Sequence, residues 1–206
     1  MDVPPERSRR SAADLVKAAH EGVIAETAER GLGTLTMECV AKRTRIAKTS
    51  LYRRWPTVED LLLEALHDAH PAEEVSPSAD DLRGDLIKAL NSMVTWMMSP
   101  TAQAAGAVLA ERNRRPELFD ALYERVFDLR GRRFTETVLR HYAARGAIDA
   151  ARVTPVVVEI GEALVTKFAY DDGVPPDQAR IAEIIDQAIL PAVQAGPCPP
   201  EQNGQR

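Results

Sequence analysis

Apolar residues recur at intervals of three and four along most of the chain, as they do on one face of an α-helix. The run Leu82, Leu86, Leu90, Met93 and Met97 is one example. No segment alternates apolar and polar residues in the manner of a half-buried strand. The pattern therefore predicts an all-α protein of about nine helices.

Local start and stop signals divide this pattern into elements. Ser11, Thr57 and Ser78 are each followed three residues later by Asp, the spacing at which a hydroxyl caps the first helical turn. Pro116 and Pro155 suit the first position of a helix. These signals predict helices over 116–144 and 155–170, a polar linker with two prolines at 71–79, and a disordered tail.

Residues 34–61 hold two short helical patterns that meet at a tight turn. The first is predicted over 37–43, with Thr36 as its N-cap. The turn falls at 44–46, and the second helix is predicted over 47–55. Two short helices joined in this way indicate a helix-turn-helix.

The second of these helices has distinct apolar and polar faces. Ile46, Leu51 and Trp55 can point inward. The remaining positions form an exposed basic, hydroxyl and aromatic face that consists of Lys48, Thr49, Ser50, Tyr52, Arg53 and Arg54. This is the layout of a recognition helix that enters the major groove of DNA.

Charge supports the same interpretation. Residues 42–54 contain six cations and no acid, although the whole chain has a net charge of −5. An acidic protein with one basic cluster has a local site for a polyanion. Two alternatives remain: a solvated basic helix face, and a protein-interaction module that docks this helix on an acidic partner.

Other functions find little support in the composition. No run of about 18 apolar residues suggests a membrane span, and the N-terminus lacks the apolar core of a signal peptide. Two cysteines form no disulfide framework, and no spacing of histidines, cysteines or acids indicates a metal site, cofactor or catalytic centre. We therefore expect a cytoplasmic protein that is not an enzyme, has no cofactor and does not bind membranes.

The helix-turn-helix resembles that of the TetR-type bacterial transcriptional regulators. The matching positions are Thr36-Met37, Val40-Ala41, Ile46, Ser50-Leu51-Tyr52, Arg53-Arg54-Trp55 and Leu61. Two positions depart from the family pattern: Arg45 stands where the family usually has Gly, and Val58 where a phosphate-contacting Lys is common. If the turn keeps the family geometry, Arg45 adopts a left-handed conformation.

The resemblance implies a domain organisation and a function. Residues 1–56 would be the DNA-binding domain, 57–196 a helical domain for effector binding and dimerisation, and 197–206 the tail. The expected function is a homodimeric repressor that leaves a near-palindromic double-stranded operator when a small molecule binds, with an activator or a ligand-blind repressor as alternatives. The residues expected to contact DNA are Thr36, Arg45, Lys48, Thr49, Ser50, Tyr52, Arg53 and Arg54.

Two further sets of residues follow from the resemblance together with apolar patterning. The effector is expected to be largely apolar, because no basic pair stands out among its candidate contacts, which are Met93, Trp96, Met97, Phe119, Tyr123, Phe127 and Phe168. The candidate dimer contacts are Ile160, Gly161, Leu164, Ile181, Ile185 and Ile189. Ordinary core packing within one chain is the alternative for both sets.

Overall fold

A computed structural model describes residues 11–71, 78–127 and 134–194, and every regular element within them is helical. The helices are α1 (Ala12–Arg30), α2 (Met37–Thr44), α3 (Lys48–Tyr52), α4 (Val58–Ala69), α5 (Leu82–Met97), α6 (Pro100–Ala110), α7 (Pro116–Leu122), α8 (Phe134–Ala144), α9 (Pro155–Asp172), α10 (Gln178–Ile184) and α11 (Leu190–Gln194). Short 3-10 helices occupy Leu32–Thr34 and Ala150–Arg152, and π-helical segments occupy Tyr123–Phe127 and Ile185–Ile189. The prediction of an all-α fold is confirmed.

Some predicted element bounds differ from the structure. The helix expected over 116–144 consists of α7 with its π-helical extension and, after residues outside the described part, α8. The second helix of the motif is only five residues long, because Ala47 is extended at its start. Its end comes before Trp55, whose position ahead of Pro56 disfavours a helical backbone. Most of the predicted linker (72–77) and the predicted disordered tail (197–206) lie outside the described residues.

The chain forms two compact units, and each is discontinuous in sequence. The first unit comprises Met1–His70 and Met98–Arg130, and the second comprises Pro71–Met97 and Gly131–Arg206. The helix-turn-helix thus shares a unit with α4, α6 and α7. These are units of packing, and a functional boundary after residue 56 stays a prediction.

Helix α1 is the centre of the first unit and packs against α2, α4 and α6. Its capping box is complete, since Ser11 Oγ accepts from Asp14 N and the Asp14 carboxylate accepts from Ser11 N. Val23 on α1, Val40 on α2 and Leu62 on α4 are fully buried in this core.

A close crossing of α1 and α2 occurs at Gly22. A Cβ atom at this position would lie 2.2 Å from Thr44 Cγ2, far inside the contact distance of two carbon atoms. The Thr44 hydroxyl is held by a hydrogen bond of 2.8 Å that it donates to the Val40 carbonyl. The separation of α2 from α1 therefore depends on the absence of a side chain at Gly22.

The second unit is built from α5, α8, α9 and the segment from α10 to α11. Among the described residues of its core is the buried carboxylate Asp85, which accepts a hydrogen bond of 2.9 Å from the Tyr142 hydroxyl. Burial and this hydrogen bond raise the pKa of Tyr142 to about 12. Lys88 Nζ also lies 3.0 Å from Asp85, so the buried charge has a cationic partner.

Candidate nucleic-acid interface

Helix α2 is positioned by its own first turn. Thr36 is extended, and its Oγ1 accepts a hydrogen bond of 3.2 Å from Cys39 N. This bond satisfies one of the backbone N–H groups that a helix start leaves unpaired. Thr36 is exposed, as a phosphate-contacting residue must be.

The turn after α2 contains the unusual residue that the family resemblance singles out. Arg45 has φ 57° and ψ 32°, in the left-handed region, where residues other than Gly are uncommon. The expectation for this backbone is confirmed. Arg45 thus ends α2 at the position where the family usually has Gly, and its side chain is exposed.

The faces of α3 agree with the sequence prediction. Leu51 and Trp55 are at most 1% exposed, and Ile46 is 7% exposed, so these three residues anchor the helix in the first unit. Ser50 is half-buried, and the other members of the polar face are exposed: Lys48, Thr49, Tyr52, Arg53 and Arg54. A short helix held by an apolar face and open on a basic face suits insertion into a groove.

The cations of residues 42–54 divide into structural and exposed groups. Arg43 donates 2.7 and 2.9 Å hydrogen bonds to Glu26 and Glu29. Glu29 and Glu26 raise the pKa of Arg43, and the hydrogen bond from Arg43 lowers the pKa of Glu29. Arg43 therefore links α2 to α1 rather than facing DNA. Lys48 Nζ lies 3.3 Å from Glu38 and 6.0 Å from the centre of the Tyr52 ring.

A polar cluster lies behind α3, at the contact of α1 with α4. Trp55 Nε1 donates a 3.0 Å hydrogen bond to Glu64 Oε2, and Arg54 Nη2 lies 3.4 Å from Glu64 Oε1. His20 has one ring nitrogen 3.4 Å from Glu64 and the other 3.4 Å from Asp68. Burial lowers the pKa of His20 and outweighs the opposite effect of the two carboxylates.

Sequence reasoning missed this cluster. His20 is on α1, whereas Glu64 and Asp68 are one turn apart on α4, so no short motif joins the three residues. The only available signal is the spacing of four between the two acids, which many exposed helices share.

The candidate effector contacts fall in both units. In the second unit Met93 is a core residue at 6% exposure, and the half-buried Trp96 lies 6.2 Å from the Phe134 ring. In the first unit the rings of Phe119, Tyr123 and Phe127 form a row with centre distances of 4.9 and 5.3 Å. Their role in ligand binding stays a prediction, as does that of Met97 and Phe168.

Two arginines bear on the expected chemistry of the ligand. The Arg112 guanidinium lies 4.8 Å from the centre of the Phe119 ring, and that of Arg180 lies 5.0 Å from the Phe168 ring. The sequence argument against a highly anionic ligand relied on the absence of a basic pair among the apolar positions. Each of these two rings has one arginine beside it, which leaves room for a single negative charge on the ligand at either position.

Four of the candidate dimer contacts are buried within their own chain. Ile181, Ile185 and Ile189 are at most 1% exposed. A Cβ at Gly161 would lie 3.0 Å from Ile189 and Thr135 of the same chain. These four positions pack within their own chain, which argues against them as dimer contacts, and the place of the dimer contact stays a prediction. The alternative of packing within one chain holds for Gly161, while Ile160 and Leu164 are only half-buried.

The fold and the exposed basic helix define a DNA-binding protein of the helix-turn-helix class. Residues 24–65 match the description "Bacterial regulatory proteins, tetR family", and residues 76–188 match "Tetracyclin repressor-like, C-terminal domain". The chain belongs to the TetR family and is a transcriptional regulator rather than an enzyme.

Curated relatives agree with this assignment. An uncharacterised HTH-type transcriptional regulator of Mycobacterium tuberculosis is 28% identical over 165 residues, which cover 80% of this chain and 81% of the relative. The DNA-binding transcriptional repressor TetR of Mycobacteroides abscessus is 28% identical over 177 residues, covering 81% of this chain and 87% of that protein.

Solved structures share the fold. A TetR-family regulator from Mesorhizobium loti has a TM-score of 0.61 at 14% identity, covering 89% of this chain and 97% of its own. The TetR-family regulator SCO0332 has a TM-score of 0.59 at 22% identity, covering 84% and 96%. Across the described ranges, none of the helices has the length and apolar character that crossing a bilayer requires.

Proposed function

We propose that the protein is a cytoplasmic, homodimeric repressor that binds a near-palindromic operator through α3 and is released by a small molecule. The exposed basic face of α3 above the buried Leu51 and Trp55 carries the DNA-binding part of this proposal. The relative from Mycobacteroides abscessus is named a repressor, which supports repression rather than activation.

Two kinds of DNA contact are expected from the placement of the side chains. Lys48 and Thr49 open α3 and are the candidate base readers, since the first residues of a recognition helix reach base edges. Thr36, Tyr52 and Arg53 flank this position and suit phosphate contacts, which fix the protein on the duplex without reading sequence.

The dimer is proposed to form through the outer face of α9. Val156, Ile160, Ala163 and Tyr170 follow spacings of four, three and seven, so that they share one face of the helix. Val156 is 73% and Tyr170 is 85% exposed, so this mainly apolar face, which Lys167 interrupts between Ala163 and Tyr170, is uncovered in one chain. In a twofold contact, the two copies of this face would bury each other. The two helix-turn-helix motifs of such a dimer would then face inverted half-sites of the operator.

The ligand is proposed to be small and largely apolar, and to act by favouring a dimer whose heads no longer match the operator. Aromatic and Met side chains supply contact area for such a compound. At either aromatic position, the guanidinium beside Phe119 or the guanidinium beside Phe168 can pair with a single negative charge on the ligand. To empty the operator, the ligand must favour the released state by several kcal/mol.

The experiment is a footprint on the DNA next to the gene, followed by titrations with Lys48→Ala and Arg53→Ala. Arg53→Ala should weaken binding to all sequences and reduce the salt slope by about one. Lys48→Ala should change which bases are tolerated. If binding to DNA depends on salt but the footprint shows no protected sequence, the result would instead support docking of the basic helix to an acidic partner protein.

A test of the dimer uses two matched charge substitutions. Val156→Asp places a carboxylate in the proposed contact but at a position exposed in one chain, so the subunit should fold and sediment as a monomer. Ile185→Asp places the charge in the core of the second unit and should prevent folding. A Val156→Asp variant that remains dimeric would rule out this face.

A further inference from the structure

The cluster behind α3 brings together three metal-ligating side chains from two helices. One ring nitrogen of His20, one oxygen of Glu64 and one oxygen of Asp68 lie within 4.8 Å of one another. Bound first-row metals have ligand atoms about 2.0–2.2 Å away, so donors must lie within about 4 Å of each other. Glu64 Oε1 already lies 3.4 Å from Nε2 of His20, whereas the Asp68 carboxylate lies 3.4 Å from Nδ1, so the Asp68 side chain must turn toward Nε2 to meet this condition.

One ring nitrogen of the histidine at its centre lacks a hydrogen-bond partner among the described residues. His20 is 8% exposed, and the buried atom is Nε2, which lies 3.4 Å from Glu64 Oε1. A buried nitrogen that points at a carboxylate without bonding it is costly. A cation between the two atoms would satisfy both, because each would donate a lone pair to it.

Access and support for an ion are also present. An open cavity of about 640 Å³ between α1 and α4 is lined by His20 and Asp68, so water or another small ligand can complete the coordination. Trp55 Nε1 bonds the second oxygen of Glu64 and would orient the carboxylate toward the ion. Such support of a ligating group raises metal affinity.

We propose that His20, Glu64 and Asp68 form a binding site for a divalent first-row transition metal ion, such as Zn²⁺ or Co²⁺. One nitrogen and two carboxylate oxygens suit these ions better than Mg²⁺ or Ca²⁺, which take oxygen ligands, or Cu⁺, which prefers sulfur.

The site has a direct link to the DNA-binding face, and this part rests on the proposed function. Arg54 Nη2 lies 3.4 Å from Glu64 Oε1, the same oxygen that faces His20. An ion on that oxygen weakens its attraction for Arg54 and frees the guanidinium for DNA phosphate. The ion also adds positive charge to the head, so metal binding strengthens operator binding.

The site is tested on tag-free, full-length protein by calorimetric titration with Zn²⁺ and by the visible absorbance of Co²⁺. Asp68→Asn is the main variant because Asp68 is exposed and its loss leaves the core intact. Glu21→Gln is the matched control, since Glu21 lines the same cavity and the charge change is equal. His20→Gln, checked by circular dichroism for folding, is the second variant.

We expect one ion per chain, an affinity at least about tenfold lower in Asp68→Asn, and no change in Glu21→Gln. The proposal is overturned if the wild-type chain shows no saturable binding, or if Glu21→Gln weakens binding as much as Asp68→Asn does.

The link to DNA is tested separately, by titrating the footprinted operator with and without Zn²⁺. The ion should tighten binding several-fold in the wild type and have a smaller effect in Arg54→Ala. Zinc binding without any change in operator affinity would overturn the link alone. A protein that binds no operator under either condition would contradict the proposed function and leave the ion titration as the test of the site.

Discussion

The crossing of α1 and α2 at Gly22 gives the most quantitative prediction for the DNA-binding head. Replacing Gly by Ala inside a helix ordinarily stabilises a protein by about 1 kcal/mol. At Gly22 the new Cβ would meet Thr44 Cγ2 at 2.2 Å, and overpacking of this kind costs about 1–3 kcal/mol. Gly22→Ala should therefore change the free energy of unfolding by between about zero and 2 kcal/mol in the destabilising direction.

Gly106 provides a matched control in the same unit. It lies inside α6 and is exposed, and a Cβ there would meet no atom within 4 Å. Gly106→Ala should gain the full helix preference, so the two variants should differ by about 1–3 kcal/mol. With a urea m-value of about 1–3 kcal/mol per M, this separates their midpoints by roughly 1 M.

A second substitution tests the cause directly. Thr44→Ser removes the Cγ2 methyl and keeps the hydroxyl that bonds the Val40 carbonyl at 2.8 Å. In the Thr44→Ser background, Gly22→Ala should become neutral or stabilising. If Gly22→Ala and Gly106→Ala stabilise the protein equally, the close crossing does not constrain the position of α2.

Two other substitutions test separate parts of the chain. The left-handed backbone of Arg45 costs the folded protein roughly 1 kcal/mol, and Arg45→Gly removes this strain. Because Gly also gives the unfolded chain more conformational freedom, thermal denaturation should show equal or slightly higher stability. A clear loss of stability would contradict this prediction. Operator affinity should still fall, because a cation is lost. Tyr142→Phe should destabilise by about 1–3 kcal/mol, since the buried Asp85 loses a donor. The pKa of Tyr142 is raised from 10.0 to about 12 in the folded state, so the stability of the wild type should fall as pH rises through that range. The difference in stability between the wild type and Tyr142→Phe should therefore shrink there. A difference that stays constant would refute the raised pKa of Tyr142.

Local signals in the sequence predict local structure well here. Thr36 caps α2, Leu51 and Trp55 are buried, and Arg45 is left-handed, as expected from spacing and from the family pattern. Each of these features depends on residues a few positions apart, so a short stretch of sequence contains the whole physical cause.

Features that depend on the partner of a side chain were not predictable in the same way. Apolar periodicity shows that Ile181, Ile185 and Ile189 are buried but not which surface covers them, and the structure shows that their own unit does. The meeting of His20 with Glu64 joins residues 44 positions apart in sequence. The pairing of Arg43 with Glu26 likewise removes a cation from the apparent DNA-binding cluster.

The interleaved order of the two packing units has a consequence for how the protein is made. As the chain leaves the ribosome, α1 to α4 emerge before α6 and α7, whose buried Ala104, Val108 and Leu122 belong to the same unit. Helix α5 emerges in between and belongs to the other unit, whose remaining helices begin only at Phe134. The first unit therefore lacks part of its core until about 60 further residues have been made, which takes about 3–12 s at 5–20 residues per second. During that interval its apolar surface is open to chaperones, and a truncated gene product that ends after α4 should aggregate rather than act as a free DNA-binding fragment.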